Sequence, residues 1–349
     1  MNPTLVLTLN PQPLAIIGDI HGEIQALDSL LDHLDTHPDT QNRRLVFIGD
    51  LCDRGPDSVA VIQRVRTLVD QGRALAILGN HEINLLANDA KDGSGWFFDS
   101  RVDPDTPHYA PFSRASASQR PEIRDFFCQL PLAIRMPGLR LVHAAWDPAS
   151  IAAVAEVPLG NILEFIHETD LNIQRLARKN DLEARYLAEL ERWAKQLEDP
   201  GNPPPYLDAV ADYESLQQQA SPIKRLTSGI EARSPRPFYS GHRWRYSDRI
   251  AWWNDDPDPT PVVIGHYWRL FQPPGQLDAW RYSRLFQQTG PTAWHGAHRQ
   301  AFCVDYSVGA RWSERHHLGH IDPTRYRLAA LLWPENQLVF DNGQRLDTD

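Results

Sequence analysis

Short apolar runs and longer amphipathic stretches alternate along the first ninety residues. LAIIGD (14–19), RLVFIGD (44–50) and ALAILGN (74–80) are unbroken apolar runs that stop at a glycine and a polar residue. A strand that is apolar at every position has both faces buried, so these runs read as strands inside a covered sheet. Between them, EIQALDSLLDHL (23–34) sets Ile24, Leu27, Leu30, Leu31 and Leu34 on one helical face. SVAVIQRVRTLVDQG (58–72) does the same with Val59, Ile62, Val65 and Val69, and Gly72 is a natural stop. This βαβαβ order predicts an α/β fold whose parallel sheet carries helices on both faces.

Past residue 90 the pattern loosens. DGSGWFFDSRVDPDTPHYAPFSRASASQRP (92–121) reads as a long polar loop. FFCQLPLAIRM (126–136) and LRLVHAAW (139–146) restore strand character. Residues 162–199 carry a 3.6-residue period with mixed charges and end at the breaker PGNPPP (200–205), so 150–230 is expected to be a helical cap inserted into a single domain spanning 1–349. RIAWW (249–253), PVVIGH (261–266), AFCVDYSV (301–308), YRLAALLW (326–333) and QLVF (337–340) read as strands again.

Composition narrows the function. With 349 residues, 42% of them hydrophobic, the chain can bury a full core. A net charge of −10 argues against a general nucleic-acid or membrane surface, so an anionic ligand must be held by local cations. MNPTLVLTLN has no basic region, and its apolar stretch is short for a signal peptide or a transmembrane helix, which predicts a cytoplasmic protein. Cys52, Cys128 and Cys303 are too few and too scattered for a disulfide framework and are expected to be reduced packing residues.

The chemistry gathers at the ends of the strands. The run before GDIHG delivers Asp19 and His21, and four further runs stop at Asp50, Asn80, His143 and His266. In open α/β sheets the ligand site lies beyond the carboxyl ends of the strands, so six oxygen and imidazole donors are predicted to meet at one edge. Taken singly, each would be an ordinary strand-end polar residue or a helix cap; the repetition at five strand ends points to metal. The donors suit Mn²⁺, Fe or Zn²⁺, and six are too many for one tetrahedral ion, so two ions sharing Asp50 are expected.

GDIHG (18–22), GDLCDRG (49–55), GNHE (79–82), His143 and GH (265–266) resemble the calcineurin-like metallophosphoesterases, in particular the phosphoprotein phosphatase branch, with similarity to diadenosine tetraphosphate hydrolases. The resemblance implies a sandwich-type core of mixed sheets flanked by helices and two divalent ions, Mn²⁺ foremost, with Fe, Zn²⁺ or Ni²⁺ as alternatives. It places Asp19, His21 and Asp50 on the first ion and Asp50, Asn80, His143 and His266 on the second. A hydroxide held between ions about 3.5–4 Å apart would attack phosphorus in line. By the same resemblance His81 is the general acid, Asp53 orients it, and Arg54 binds the phosphoryl oxygens. Lys224, Arg225 and Tyr306 are further candidates for phosphate binding.

Departures from the family bear on substrate. Leu78 stands where many protein phosphatases carry an arginine before GNHE, as it does in the diadenosine tetraphosphate hydrolases, and after His143, where the family often has Gly-Gly, Ala144, Ala145 and Trp146 follow and imply a tighter, more apolar wall. The expected activity is hydrolysis of phosphomonoesters, on phosphoprotein or small molecules. The alternatives are a dinucleoside polyphosphate hydrolase and, from another class, a non-catalytic metal-binding scaffold. His295, His298, His316, His317 and His320 are expected to face solvent, and the tryptophans to serve mainly in packing.

Overall fold

A computed structural model of the chain describes residues 3–240, 243–272 and 281–349. Strand β1 (Val6–Thr8) precedes the predicted alternation of β2 (Leu14–Ile17), α1 (Ile24–Thr36), β3 (Arg44–Phe47), α2 (Ser58–Asp70) and β4 (Ala74–Ala76). Helix α3 (Asn80–Leu86) follows directly, then α4 (Val102–Tyr109), α5 (Gln119–Cys128), β5 (Ala133–Met136) and β6 (Leu139–Val142). Helices α6 (Pro148–Ala155), α7 (Ile162–Lys179), α8 (Leu182–Leu197), α9 (Asp208–Ala220) and α10 (Pro222–Ser228) come next, and a hairpin of β7 (Glu231–Ser240) and β8 (Arg243–Arg249) closes this region. The chain ends with β9 (Val262–Ile264), β10 (Ala301–Cys303), α11 (Arg311–Leu318), β11 (Ala329–Trp333), β12 (Gln337–Phe340) and β13 (Arg345–Asp347).

Apart from the β7-β8 hairpin, the strands form two stacked mixed sheets. One has the order β13-β12-β11-β2-β3-β4, the other β1-β5-β6-β9-β10. β2, β3 and β4 are parallel as predicted, while β11 adds antiparallel to β2. Helices do not cover both faces of this sheet, as the alternation had suggested. Leu14, Ile16, Val46 and Ile48 pack with Ile134, Leu141, Val263 and Phe302 of the second sheet. The intervening Ala15, Ile17, Leu45 and Phe47 pack among residues of α1 and α2. An unbroken apolar run records that both faces are dry; whether a helix or a sheet covers them leaves no trace in it.

Three other readings change. Residues 92–121 are not one loop, because α4 and the start of α5 lie within them. Buried Asp105 ties the segment together by accepting from Gly95 N at 2.7 Å and from Arg101 at 2.5 Å. RIAWW is not a strand beyond Arg249, for Trp252–Asn254 form a 3₁₀ turn with Trp252 and Trp253 buried. The β7-β8 hairpin was masked by Pro235 and Pro237, which a two-stranded ribbon accommodates with a register shift between Arg233 and Phe238. β6 and β9 are adjacent and parallel, so α6 to β8 is an excursion between neighbouring strands that runs past residue 230. No helix among the described residues is long and apolar enough to cross a membrane.

Candidate metal centre

The carboxyl ends of β2, β3 and β4 from one sheet and of β6 and β9 from the other open on a common edge. His21 and Ile20 donate their backbone N–H to Asp50 O, and Gly265 donates to His143 O, so the strand-end loops are stitched together before any side chain acts. The turns are tight and strained. His21, Asp50 and His266 have φ of 47°, 51° and 67°, and Asp53 and Arg54 have 74° and 68°. Left-handed backbone costs a non-glycine residue on the order of 1–3 kcal/mol, and such strain gathers at functional sites. The glycines allow the approach: a Cβ at Gly79 would lie 2.3 Å from Asp50 Oδ1, and one at Gly265 would lie 2.1 Å from Asp19 Oδ1.

The five ionisable strand-end donors meet here, each at most 3% exposed, and Asn80 opens α3 next to Gly79, which packs on Asp50. Asp50 Oδ2 lies 3.3 Å from His143 Nε2, 3.8 Å from His21 Nε2 and 3.9 Å from His81 Nε2, and Asp19 Oδ2 lies 3.9 Å from His21 Nε2. Two groups of ligand atoms, each within 4.8 Å of one another, result: His21, Asp50 and His81, and Asp50, His143 and His266. Asp50 belongs to both.

The surroundings fix which atoms point inward. His143 Nδ1–H donates to Ile48 O at 2.7 Å and His21 Nδ1–H to Cys52 O at 3.0 Å, which leaves Nε2 of each ring as the ligand atom. His266 donates its backbone N–H to the Asp19 carboxylate at 3.1 Å. Asn80 Oδ1, His143 Nε2 and His266 Nε2 are buried and make no hydrogen bond among the described residues, although Asp50 Oδ2 is 3.3 Å from His143 Nε2. Buried polar atoms are rarely left so, and these orphaned donors fit a bound divalent cation.

Electrostatics sharpen the fit. Burial opposes ionisation of Asp50, yet His143, His81 and His21 together hold its carboxyl well below the usual range. Burial, with Asp305 and Asp50 adding repulsion, pushes Asp19 well up. Burial alone would lower His143, but Asp50 and Asp19 raise it to about 10. His21 and His266 are lowered by burial and then by Arg54 and Arg249 respectively.

Within the first group, His81 Nδ1–H donates to Asp53 Oδ2 at 2.5 Å, so the ring presents Nε2 to the site. Arg54 brings a guanidinium nitrogen to 3.0 Å from His21 Nε2 and stacks 4.8 Å from the centre of the Trp268 ring. Lys224 and Arg225 are engaged elsewhere, Lys224 with Gln217 at 3.2 Å and Arg225 with Asp147 at 3.0 Å. Tyr306 is not at the site. It lies in the core between the sheets, its hydroxyl donating to Pro291 O at 2.5 Å. His295 is a further correction: it is 5% exposed, packed edge-on against Trp253, whereas His298, His316, His317 and His320 are exposed as expected. The three cysteines are buried and free.

Three residues at the site had no assigned role. Glu82, fully buried, accepts from Gly79 N, Asp50 N and Leu51 N at 2.8–2.9 Å, joining the loops after β3 and β4. Trp96 donates to Asp53, and Arg249 donates to His266 O at 3.2 Å. Only Glu82 left a signal, as the acidic end of GNHE; the other two are ordinary aromatic and basic positions in the sequence.

Residues 12–169 match the family described as calcineurin-like phosphoesterase. The chain carries a calcineurin-like phosphoesterase domain. Among curated relatives, the symmetrical bis(5'-nucleosyl)-tetraphosphatase of Chromohalobacter salexigens is 31% identical over 185 residues, 52% of this chain and 60% of that protein. The protein of the same name from Ralstonia nicotianae is 44% identical over 81 residues, 23% of this chain and 27% of its own length. The matched part thus covers 27% to 60% of these relatives. Among solved structures, a cold-active protein-tyrosine phosphatase of a Shewanella species is 15% identical, with a TM-score of 0.44 over 100% of this chain and 83% of that one. The phosphoesterase domain contains Asp19, His21, Asp50, Asn80, His81 and His143, and His266 comes from outside the matched span.

Proposed function

We propose that the chain is a divalent-metal-dependent phosphoesterase that hydrolyses phosphomonoesters. The observation that carries this reading is the position of Asp50, shared by two groups of inward-facing ligand atoms, with His81 in the first of them and Arg54 beside it. Asp19, His21 and Asp50 would hold one ion, and Asp50, Asn80, His143 and His266 a second; the nitrogen and oxygen donors suit Mn²⁺ best, and Fe, Zn²⁺ and Ni²⁺ fit the same set. Such ions would activate water and offset charge on the phosphoryl group.

The chain's own groups supply the rest. Arg54 presents a planar fork of N–H donors beside the first ligand group, suited to phosphoryl oxygens. His81, its ring set by Asp53, would give a proton from Nε2 to the leaving oxygen. Hydrolysis of dinucleoside polyphosphates is a second reading, favoured by the relatives named bis(5'-nucleosyl)-tetraphosphatases and by Trp268, whose ring lies 5.9 Å from that of His21.

The test is one metal-loaded preparation assayed on p-nitrophenyl phosphate, a phosphoserine peptide, a phosphotyrosine peptide and diadenosine tetraphosphate. Metal-dependent release of phosphate from monoesters, abolished by Asp50→Asn, is the expected result. Turnover of the dinucleotide alone would favour the second reading. Metal binding without turnover of any of them would leave a scaffold.

A further inference from the structure

Asp53 is 2% exposed, and a carboxylate so buried needs a donor for each oxygen. One oxygen, Oδ2, accepts from His81 Nδ1; the other, Oδ1, accepts from the indole N–H of Trp96 at 2.5 Å. Trp96 is 1% exposed and is anchored on both sides. Its carbonyl accepts from Ala115 N at 2.8 Å, and the preceding Gly95 is held by Asp105 at 2.7 Å. From the same segment, Gly93 O accepts the backbone N–H of Arg54 at 3.1 Å, so residues 93–96 brace the Asp53-Arg54 turn through both backbone and side chain.

We propose that Trp96 is a positioning residue: its indole N–H sets the rotation of the Asp53 carboxylate and, through it, the orientation of the His81 ring. The physical reason lies in the torsions. The terminal torsion of an aspartate is broad, so the carboxylate has no intrinsic preference that would hold Oδ2 on His81. Tryptophan is only a donor, so it can satisfy Oδ1 without competing for His81 Nδ1–H. Removing that donor leaves Oδ1 buried and unpaired, and the carboxylate can turn to recover a partner at the expense of its bond to His81. The consequence for turnover rests on the phosphoesterase reading; the consequence for the His81 ring does not.

The test is Trp96→Phe, with 3-benzothienylalanine at position 96 as a second variant that keeps the indole shape and replaces N–H by sulfur should the phenylalanine protein fail to fold. In metal-loaded protein, kcat for a phosphoserine peptide should fall about ten- to a hundredfold. With p-nitrophenyl phosphate, whose leaving group needs little protonation, it should fall less than about threefold, with both KM values and the metal content unchanged. In the Asp53→Asn background the substitution at 96 should add no further loss. Independently of activity, nitrogen-15 histidine spectra of the Zn²⁺-loaded protein should show the His81 Nδ1–H resonance shifted or lost to exchange in the variants. Equal loss on both substrates, additivity with Asp53→Asn or an unchanged Nδ1–H resonance would each overturn the proposal. Absence of turnover by the unmutated protein would instead defeat the phosphoesterase reading, and the spectra alone would then decide the role of Trp96.

Discussion

Asp50 is held as an anion in the dry interior, and His143, 3.3 Å away and raised by Asp50 and Asp19, supplies the counter-charge. Loading a cation should therefore displace protons already there. With His143 pushed up to about 10, its Nε2 carries a proton at neutral pH in the metal-free protein, and Asp19 is driven toward its neutral form. Metal ligands must be deprotonated, so binding should release protons and weaken as the pH falls. Calorimetric titration of metal into metal-free protein at pH 6–7, in buffers of different ionisation enthalpy, should reveal that release; heats independent of buffer would contradict it. The sign for stability follows. A histidine raised in the folded state contributes stability that is complete below its unfolded range and lost as pH rises through about 10, so the metal-free fold should weaken on the alkaline side. His81 makes a separate prediction. His81→Ala should lower kcat by roughly 10²–10⁴ on a serine phosphate while the metal content stays unchanged, with a smaller loss on p-nitrophenyl phosphate. Equal impairment on the two substrates would refute its role as acid.

At the scale of elements, the site is a set of loops held at short range, and the glycines and Glu82 do the holding. A methyl group at Gly79, where the backbone is extended, would meet Asp50 Oδ1, whereas one at Gly72, at a φ of 71°, would meet nothing within 4 Å. Gly79→Ala should therefore lose metal, and Gly72→Ala should cost only backbone strain; metal content by elemental analysis, set beside melting temperature, separates the two. Glu82→Gln keeps a single carbonyl oxygen where two carboxylate oxygens serve three backbone donors, with an expected cost of about 1–3 kcal/mol per donor left bare and a weaker hold on metal. A denaturant titration showing no loss of stability would rule that out. These contacts also explain what was legible beforehand. Asp19, Asp50, Asn80, His143 and His266 each end an apolar run, so their meeting could be read from strand order alone. Trp96, Arg249 and buried His295 carry no such mark, because each acts through a partner distant in sequence. Tyr306 misled for the opposite reason: it follows a strand as the metal candidates do, but its ring points between the sheets.

At the scale of the molecule, the chain must hold an anion despite a net charge of −10, so specificity falls to the cations at the rim. The excursion between β6 and β9 reaches the site at two places. Leu226 O in α10 accepts from Ala144 N, and Arg249 at the end of β8 donates to His266 O. Helices α7 and α8 lie farther along it. α8 packs on α9, with Tyr186 stacked on Tyr213 and Glu189 receiving the N–H of Val210, and Leu171 and Leu187 are more than half exposed. If the excursion selects substrate, selection should reside in α10 and β8 and not in the outer helices. Arg249→Ala should raise KM for phosphorylated substrates about tenfold or more, the worth of a hydrogen bond to a charged group, with the metal content unchanged. Leu187→Lys, at the outer surface of α8, should leave the ranking of p-nitrophenyl phosphate, phosphotyrosine and phosphoserine substrates as it was. A reversal, with the ranking altered by Leu187→Lys and KM indifferent to Arg249→Ala, would place recognition in the outer helices and show that Arg249 does not bind phosphate.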